Sequence, residues 1–237
     1  MESPVLLYHK IDRPTPDVKV RGAYTAPVRF ERQMSYLKRK GIRFATASEM
    51  VQRYREEGRF PERTVCVTFD DGWKDNYTNA FPILKKLGIP ATIFVVAACI
   101  GKTSTQVTAE GEAARAHMTE QDIREMSGSG IEFGSHSMNH KLLDRTTDDD
   151  VAAEVIDSKM YLEDLLQNEC RVFAYPAGYH TAFARAAVER AGYIGAFTTT
   201  YGNNENPDIF ALNRTEILRR HGRPFGFSRR IGSIFAR

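Results

Sequence analysis

The most constraining feature of this chain is the regular alternation of short apolar runs with stretches of helical period. Val5–Tyr8, Ile42–Phe44, Thr64–Val67, Ile89–Val96, Ile131–Phe133, Arg171–Tyr175, Ile194–Thr199 and Leu212–Leu218 read as strands. The clearest of them are continuously apolar rather than alternating, the mark of strands covered on both faces. Between them, Phe30, Met34 and Leu37 recur at helical spacing between Pro27 and Gly41, and Met50, Val51 and Tyr54 do so between Thr46 and Gly58. A helix is predicted from about Lys74 to Lys86, kinked at Pro82, and another after a capping box of Thr119 and Asp122. Thr147 followed by three aspartates starts a further helix, the acids complementing its dipole, and Thr181–Ala191 is a last one. Strands joined through helices run parallel with right-handed crossovers. About seven such units without linker or internal repeat predict an α/β closed barrel, in a single domain over residues 1–237. In that architecture chemistry collects where the strands end.

Two strand ends stand out. Thr68-Phe69-Asp70-Asp71-Gly72 places two carboxylates after a buried strand, which is costly unless a cation, a proton or hydrogen bonds compensate them. Capping of the next helix would explain either Asp alone. Gly134-Ser135-His136-Ser137-Met138-Asn139-His140 places two histidines four apart just past another strand, a spacing common for paired metal ligands. Two imidazoles and one carboxylate of the Asp pair suit a divalent metal, and leave the other Asp to take a proton from water. The same donor set also describes a non-haem iron oxygenase triad. Such triads keep the carboxylate close to the first His, whereas here it lies far upstream amid alternating helices.

Composition narrows the partners. A net charge of +3 over 237 residues is too small to indicate nucleic-acid binding. Cys66, Cys99 and Cys170 are widely spaced and fit reduced, buried thiols. Residues 1–8 lack the pattern of an export signal and no run has the length of a membrane span, so the sequence as it stands reads as cytoplasmic. Residues 97–118 read as a long polar loop of the kind that forms lids or substrate rims. Residues 219–237 interleave cations with Phe225, Phe227 and Ile231, a pattern compatible with peripheral docking on an anionic membrane.

With those residues in place, the chain resembles the polysaccharide deacetylases of carbohydrate esterase family 4. Leu6-Leu7-Tyr8-His9 and Phe173-Ala174-Tyr175-Pro176-Ala177-Gly178 are most similar to the branch of bacterial poly-N-acetylglucosamine deacetylases. The resemblance implies a distorted (β/α) barrel and hydrolysis of N-acetyl groups on amino sugars in a polysaccharide, oligosaccharide or lipid-linked glycan. It assigns Asp71, His136 and His140 to one divalent metal, Zn²⁺ first with Ni²⁺, Co²⁺ or Fe²⁺ as alternatives, and Asp70 to the general base. It gives the Ala177 N–H to the oxyanion. Ala174 stands where many relatives carry an arginine bracing the base, which leaves Arg171 and Arg214 as candidates to supply that guanidinium. Leu218-Arg219-Arg220-His221 departs from the usual Leu-x-His motif, which makes His9 the first candidate for general acid and His221 the second. Trp73, Tyr175, Tyr179 and Tyr201 are candidate sugar-stacking residues, with core packing as the competing role. A non-catalytic carbohydrate-binding relative is the rival reading, opposed by the intact Asp70.

Overall fold

A computed structural model describes residues 4–104, 112–202, 204, 206–222 and 224–235. Strands β1 (Val5–Tyr8), β2 (Arg43–Ala45) and β3 (Thr64–Phe69) are separated by helices α1 (Pro27–Arg39) and α2 (Ala47–Glu57). There follow α3 (Phe81–Leu87), β4 (Ala91–Val95), the short strands β5 (Thr103–Ser104) and β6 (Arg115–Ala116), α4 (Glu120–Ser127) and β7 (Ile131–Ser135). The chain continues through α5 (Asp148–Leu166), β8 (Val172–Ala174), α6 (Ala182–Arg190), β9 (Gly195–Phe197), β10 (Thr215–Glu216) and α7 (Pro224–Phe235).

All six residues of β3 are buried, and β3 lies near the middle of a curled parallel sheet ordered β10-β1-β3-β4-β7-β8-β9. These seven strands, with β2 as the sheet's eighth off that path, form the distorted barrel that the family resemblance implies. β2 shares an edge of β3 with β4: it pairs with Thr64–Cys66, and β4 with Thr68 and Phe69. The last strand is shorter than predicted. Leu212 bridges to Phe197 of β9, and two residues after Asn213 the chain pairs with β1 as β10, so one short segment spans from one end of the sheet to the other.

Strand parity divides the core. Leu6, Tyr8, Val65, Val67, Phe69, Ile93 and Phe173 pack toward the helices. Val5, Cys66, Phe94, Val172, Ala174 and Phe197 form a second cluster with Ala47, Met50 and Val51 of α2. Because successive side chains of a strand point to opposite faces, Asp70 continues the inward set of Cys66 and Thr68. The caps follow the sequence. Thr46 and Glu49 form a capping box, as do Thr119 and Asp122, and Thr147 caps α5 above its acidic first turn. All three cysteines are free and buried.

Two helical expectations are corrected. The predicted Lys74–Lys86 helix contains a π-helical turn over Asn76–Ala80, which includes Thr78, the residue whose carbonyl Pro82 would crowd in a regular helix. The irregularity thus lies upstream of the proline. There Asn76 donates through Nδ2 to the His9 carbonyl at 2.9 Å and ties this segment to the exit of β1. The predicted loop over residues 97–118 carries an antiparallel ribbon of β5 and β6, while residues 105–111 lie outside the described part. At the C-terminus, Phe227 and Ile231 of α7 are buried in the main core, with Phe227 edge-on to Tyr36. The Phe225 side chain lies outside the described residues. No described helix is long and apolar enough to cross a membrane.

Candidate active site

His9 follows β1, Asp70 and Asp71 follow β3, His136 follows β7 and Ala177 follows β8, so all lie at the C-terminal ends of strands. Asp70 is 1% exposed and turned toward Arg214, which is fully buried. The guanidinium grips both carboxylate oxygens, Nη1 to Oδ1 at 2.7 Å and Nη2 to Oδ2 at 2.6 Å. Arg214 is itself fixed by Nε donating to the Thr198 carbonyl at 2.7 Å and Nη1 to Thr68 Oγ1 at 3.2 Å. Burial would favour the neutral acid, but Arg214 and then His136 outweigh it and hold the Asp70 carboxyl below its ordinary range. Asp70 is therefore an anion at neutral pH, oriented and able to accept a proton. Arg171 is elsewhere: its Nη2 donates to Gln52 at 3.1 Å and its Nε lies 3.9 Å from Glu169. The bracing guanidinium is thus that of Arg214.

Asp71 turns the other way. Its backbone is left-handed at φ 76°, and Gly72 follows at φ 72°, where a Cβ would come within 2.9 Å of Val95 Cγ1. This double turn sends Asp71 Oδ1 to 3.6 Å from His136 Nε2 and 3.7 Å from His140 Nε2. One donor atom from each of the three residues lies within 4.8 Å of the others. Ligand atoms on a tetrahedral zinc with bonds of about 2.1 Å stand roughly 3.4 Å apart, close to the two distances from Asp71 Oδ1 to the imidazoles. The protonation pattern fits as well. His136 Nδ1 lies 2.8 Å from the Ala174 carbonyl, which can only accept, so Nδ1 carries a proton and Nε2 is the nitrogen turned toward Asp71. Burial, followed by the nearby His136, pushes His140 down to about 4, leaving the neutral imidazole that binds metals. Burial opposes ionisation of Asp71, yet His9, His140, His136 and Lys10 together hold it at about 2.

The loop carrying the histidines is held from α5. Glu154, 2% exposed, accepts the Asn139 N–H at 2.7 Å and its Nδ2 at 2.8 Å, and the Glu154 carbonyl accepts the Met138 N–H at 3.0 Å. Ser137 Oγ accepts the His140 N–H at 2.9 Å. Ser137 and His140 have φ of 65° and 58°, left-handed conformations that persist only where their surroundings enforce them. Glu154 stands on the buried face of α5 with Val151, Val155 and Leu162, and was not among the residues singled out from the sequence.

His9 lies close enough to depress both aspartates, and its Nδ1 is 3.9 Å from Glu216 Oε1. Ala177 is exposed at φ 54°, its carbonyl accepts Thr199 Oγ1 at 2.9 Å, and its N–H has no partner among the described hydrogen bonds. His221 stands apart in a 3₁₀ turn. Its Nδ1 accepts the Leu218 N–H at 3.1 Å, Arg220 Nε lies 3.2 Å from its Nε2, and burial with the nearby Arg230 and Arg220 lowers its affinity for a proton. None of its described contacts reaches the aspartates, whereas His9 lies beside both of them.

Two of the candidate sugar platforms are corrected. Trp73 is 1% exposed and donates through Nε1 to Asp71 Oδ2 at 2.8 Å. Tyr175 is fully buried, stacked on His180, with its hydroxyl donating to the Phe210 carbonyl at 2.9 Å. Only Tyr179 and Tyr201 expose their rings, and Tyr201 already carries the Arg230 guanidinium at 3.8 Å. A cavity of about 460 Å³ lined by Arg43, Gln52, Arg53 and Thr64 opens at the opposite, N-terminal ends of β2 and β3, away from this chemistry. The all-parallel β/α sheet also differs from the setting expected for an iron oxygenase triad.

A family model described as polysaccharide deacetylase matches residues 57–196. YxkH of Bacillus subtilis, whose name assigns it to the polysaccharide deacetylases, is 30% identical over 90% of this chain and 71% of its own length. The poly-beta-1,6-N-acetyl-D-glucosamine N-deacetylase of Staphylococcus aureus is 30% identical over 71% of this chain, which spans 59% of that protein. Among solved structures, the Streptococcus pyogenes deacetylase PplD in complex with acetate superposes with a TM-score of 0.81 at 28% identity, covering 93% of this chain and 94% of PplD. IcaB from Ammonifex degensii gives 0.78 at 27% identity, with 90% of each chain covered.

Proposed function

The chain belongs to the polysaccharide deacetylase family, and from that premise we propose that it hydrolyses the N-acetyl amide of amino sugars in a glycan. One observation carries this reading. Asp71, His136 and His140 gather three ligand atoms, while the adjacent Asp70 is turned to Arg214 and left out of the set. A binding protein would have no use for an oriented, ionised acid beside its metal ligands. A divalent ion held by those three residues, Zn²⁺ in our reading, supplies a Lewis acid and lowers the pKa of water from about 16 toward about 7.

Asp70 takes the proton of the attacking water as the C–O bond forms at the acetyl carbon. Arg214 keeps Asp70 in position during that transfer, because a bidentate guanidinium restrains both carboxylate oxygens. The Ala177 N–H donates to the developing oxyanion, an interaction worth about 3–4 kcal/mol for a well-placed donor. His9 gives a proton to the amide nitrogen as the C–N bond breaks, so that acetate and a free amino sugar leave.

The glycan class follows the named relatives: β-1,6-linked N-acetylglucosamine polymer is the first substrate, and shorter or lipid-linked oligosaccharides the second. Acetate release from N-acetylglucosamine oligomers and from that polymer, with and without chelator, tests the proposal. We expect release that chelation stops and added Zn²⁺ restores. Release indifferent to thorough chelation, or none from any member of the panel with metal-replete protein, overturns it.

A further inference from the structure

We propose that Trp73 is a positioning residue that restricts Asp71 to single-oxygen ligation of the metal, and that His117 and Lys10 hold its indole for that purpose. The inference rests on the metal reading above and concerns residues that reading does not use. The two oxygens of Asp71 have different partners. Oδ1 faces both histidines, whereas Oδ2 accepts the Trp73 Nε1–H at 2.8 Å. A carboxylate free on both oxygens can turn about its Cβ–Cγ bond and chelate an ion through both. The indole N–H occupies the second oxygen and opposes that turn.

An N–H restrains a neighbour only as well as its own ring is restrained, and this ring is held from two elements. The His117 imidazole stacks on it at 4.4 Å between centroids and 24° between planes. The Lys10 ammonium lies over it at 3.8 Å, a cation–π contact within a buried setting. His117 is anchored in turn. Its Nδ1 lies 3.2 Å from the Asp71 carbonyl, which can only accept, so Nδ1 carries the proton and Nε2 is left to accept from Ser104 Oγ at 3.1 Å. Trp73 and His117 also form an antiparallel backbone bridge, and the Met118 N–H donates to the Gly72 carbonyl at 3.0 Å. The ribbon of β5 and β6 thus fastens the left-handed Asp71–Gly72 turn through His117, 46 residues from Asp71 in sequence.

The test uses Co²⁺-loaded full-length protein, because cobalt reports coordination number in its visible spectrum. Trp73→Phe keeps an aromatic ring between His117 and Lys10 but removes the donor. Replacement of Trp73 by β-(3-benzothienyl)alanine keeps the indole shape with sulfur in place of N–H, and decides the matter if the Phe variant does not fold. We expect a 10–100-fold loss of Co²⁺ affinity in chelator competition, together with a weaker visible band as Asp71 adds its second oxygen. Affinity and band both equal to the parent's in a folded variant overturn the inference. A parent that binds no Co²⁺ overturns the metal reading itself, so the two failures are distinguishable.

Discussion

Asp70 and Asp71 are the same residue twice, yet their neighbours prepare them for different work. Asp70 faces into the barrel onto a guanidinium; Asp71, one residue later and left-handed, faces two imidazoles and an indole. Replacing Arg214 with Met would leave Asp70 buried without a cation, so we expect a stability loss of about 3–5 kcal/mol in urea unfolding, with turnover lost in whatever still folds. Asp70→Asn should cut turnover by 10²–10⁴-fold in acetate-release assays while retaining metal, and His136→Ala should lose both. The aspartates and histidines were legible because each pair lies in one short motif at a strand end. The choice between Arg171 and Arg214 was not, because it depends on which of two distant segments the barrel folds back over Asp70. Trp73 was legible as aromatic and near the motif, but not as buried, which only the fold decides.

The elements around the site hold several conformations that short-range propensity disfavours. The turn after β8 places Ala177 at φ 54° and Gly178 at φ 80°, and a Cβ on Gly178 would run into the Thr199 backbone nitrogen and hydroxyl. Gly178→Ala should therefore cost about 2–4 kcal/mol in urea unfolding and displace the Ala177 N–H from its place in the site. The π-helical turn begins beside Asp75, whose Oδ1 accepts the Ile11 N–H at 2.6 Å. Burial, and then the nearby Asp12, raises Asp75 from 3.8 to about 7. A carboxyl with a raised folded pKa holds its proton more tightly in the folded state. Its contribution to stability is thus complete below pH ~4 and is lost as pH rises through ~7. Asp75→Asn should raise the melting temperature relative to the parent at pH 8, and the difference should vanish near pH 4. The capping box of Thr119 with Asp122 and most helix limits could be read directly, because they are set by residues three or four apart. The π-turn and the β5–β6 ribbon could not, since both answer to contacts with the β1 exit and the Asp71 turn.

At the scale of the molecule, strand–helix alternation was enough to predict a parallel barrel, since right-handed crossovers leave few other ways to bury these strands. How the curled sheet's two ends approach each other was not written locally. Leu212 to Glu216 makes that connection with one bridge to β9 and a two-residue strand on β1, and the same segment delivers Arg214 to the site. Closure of the fold and bracing of Asp70 are thus one structural event. The C-terminal helix places Phe227 and Ile231 in the core, so these two residues are not presented to a membrane, and liposome flotation with and without residues 219–237 tests whether that segment associates with one. Deleting that segment should lower the melting temperature by exposing the apolar surface they cover. The central claim is a division of labour between two adjacent carboxylates, and tightly bound metal per chain in Asp70→Asn and Asp71→Asn, by elemental mass spectrometry on folded protein, tests it most directly. Our account requires close to one equivalent in Asp70→Asn and little in Asp71→Asn; equal retention in both, or the reverse order, would contradict it.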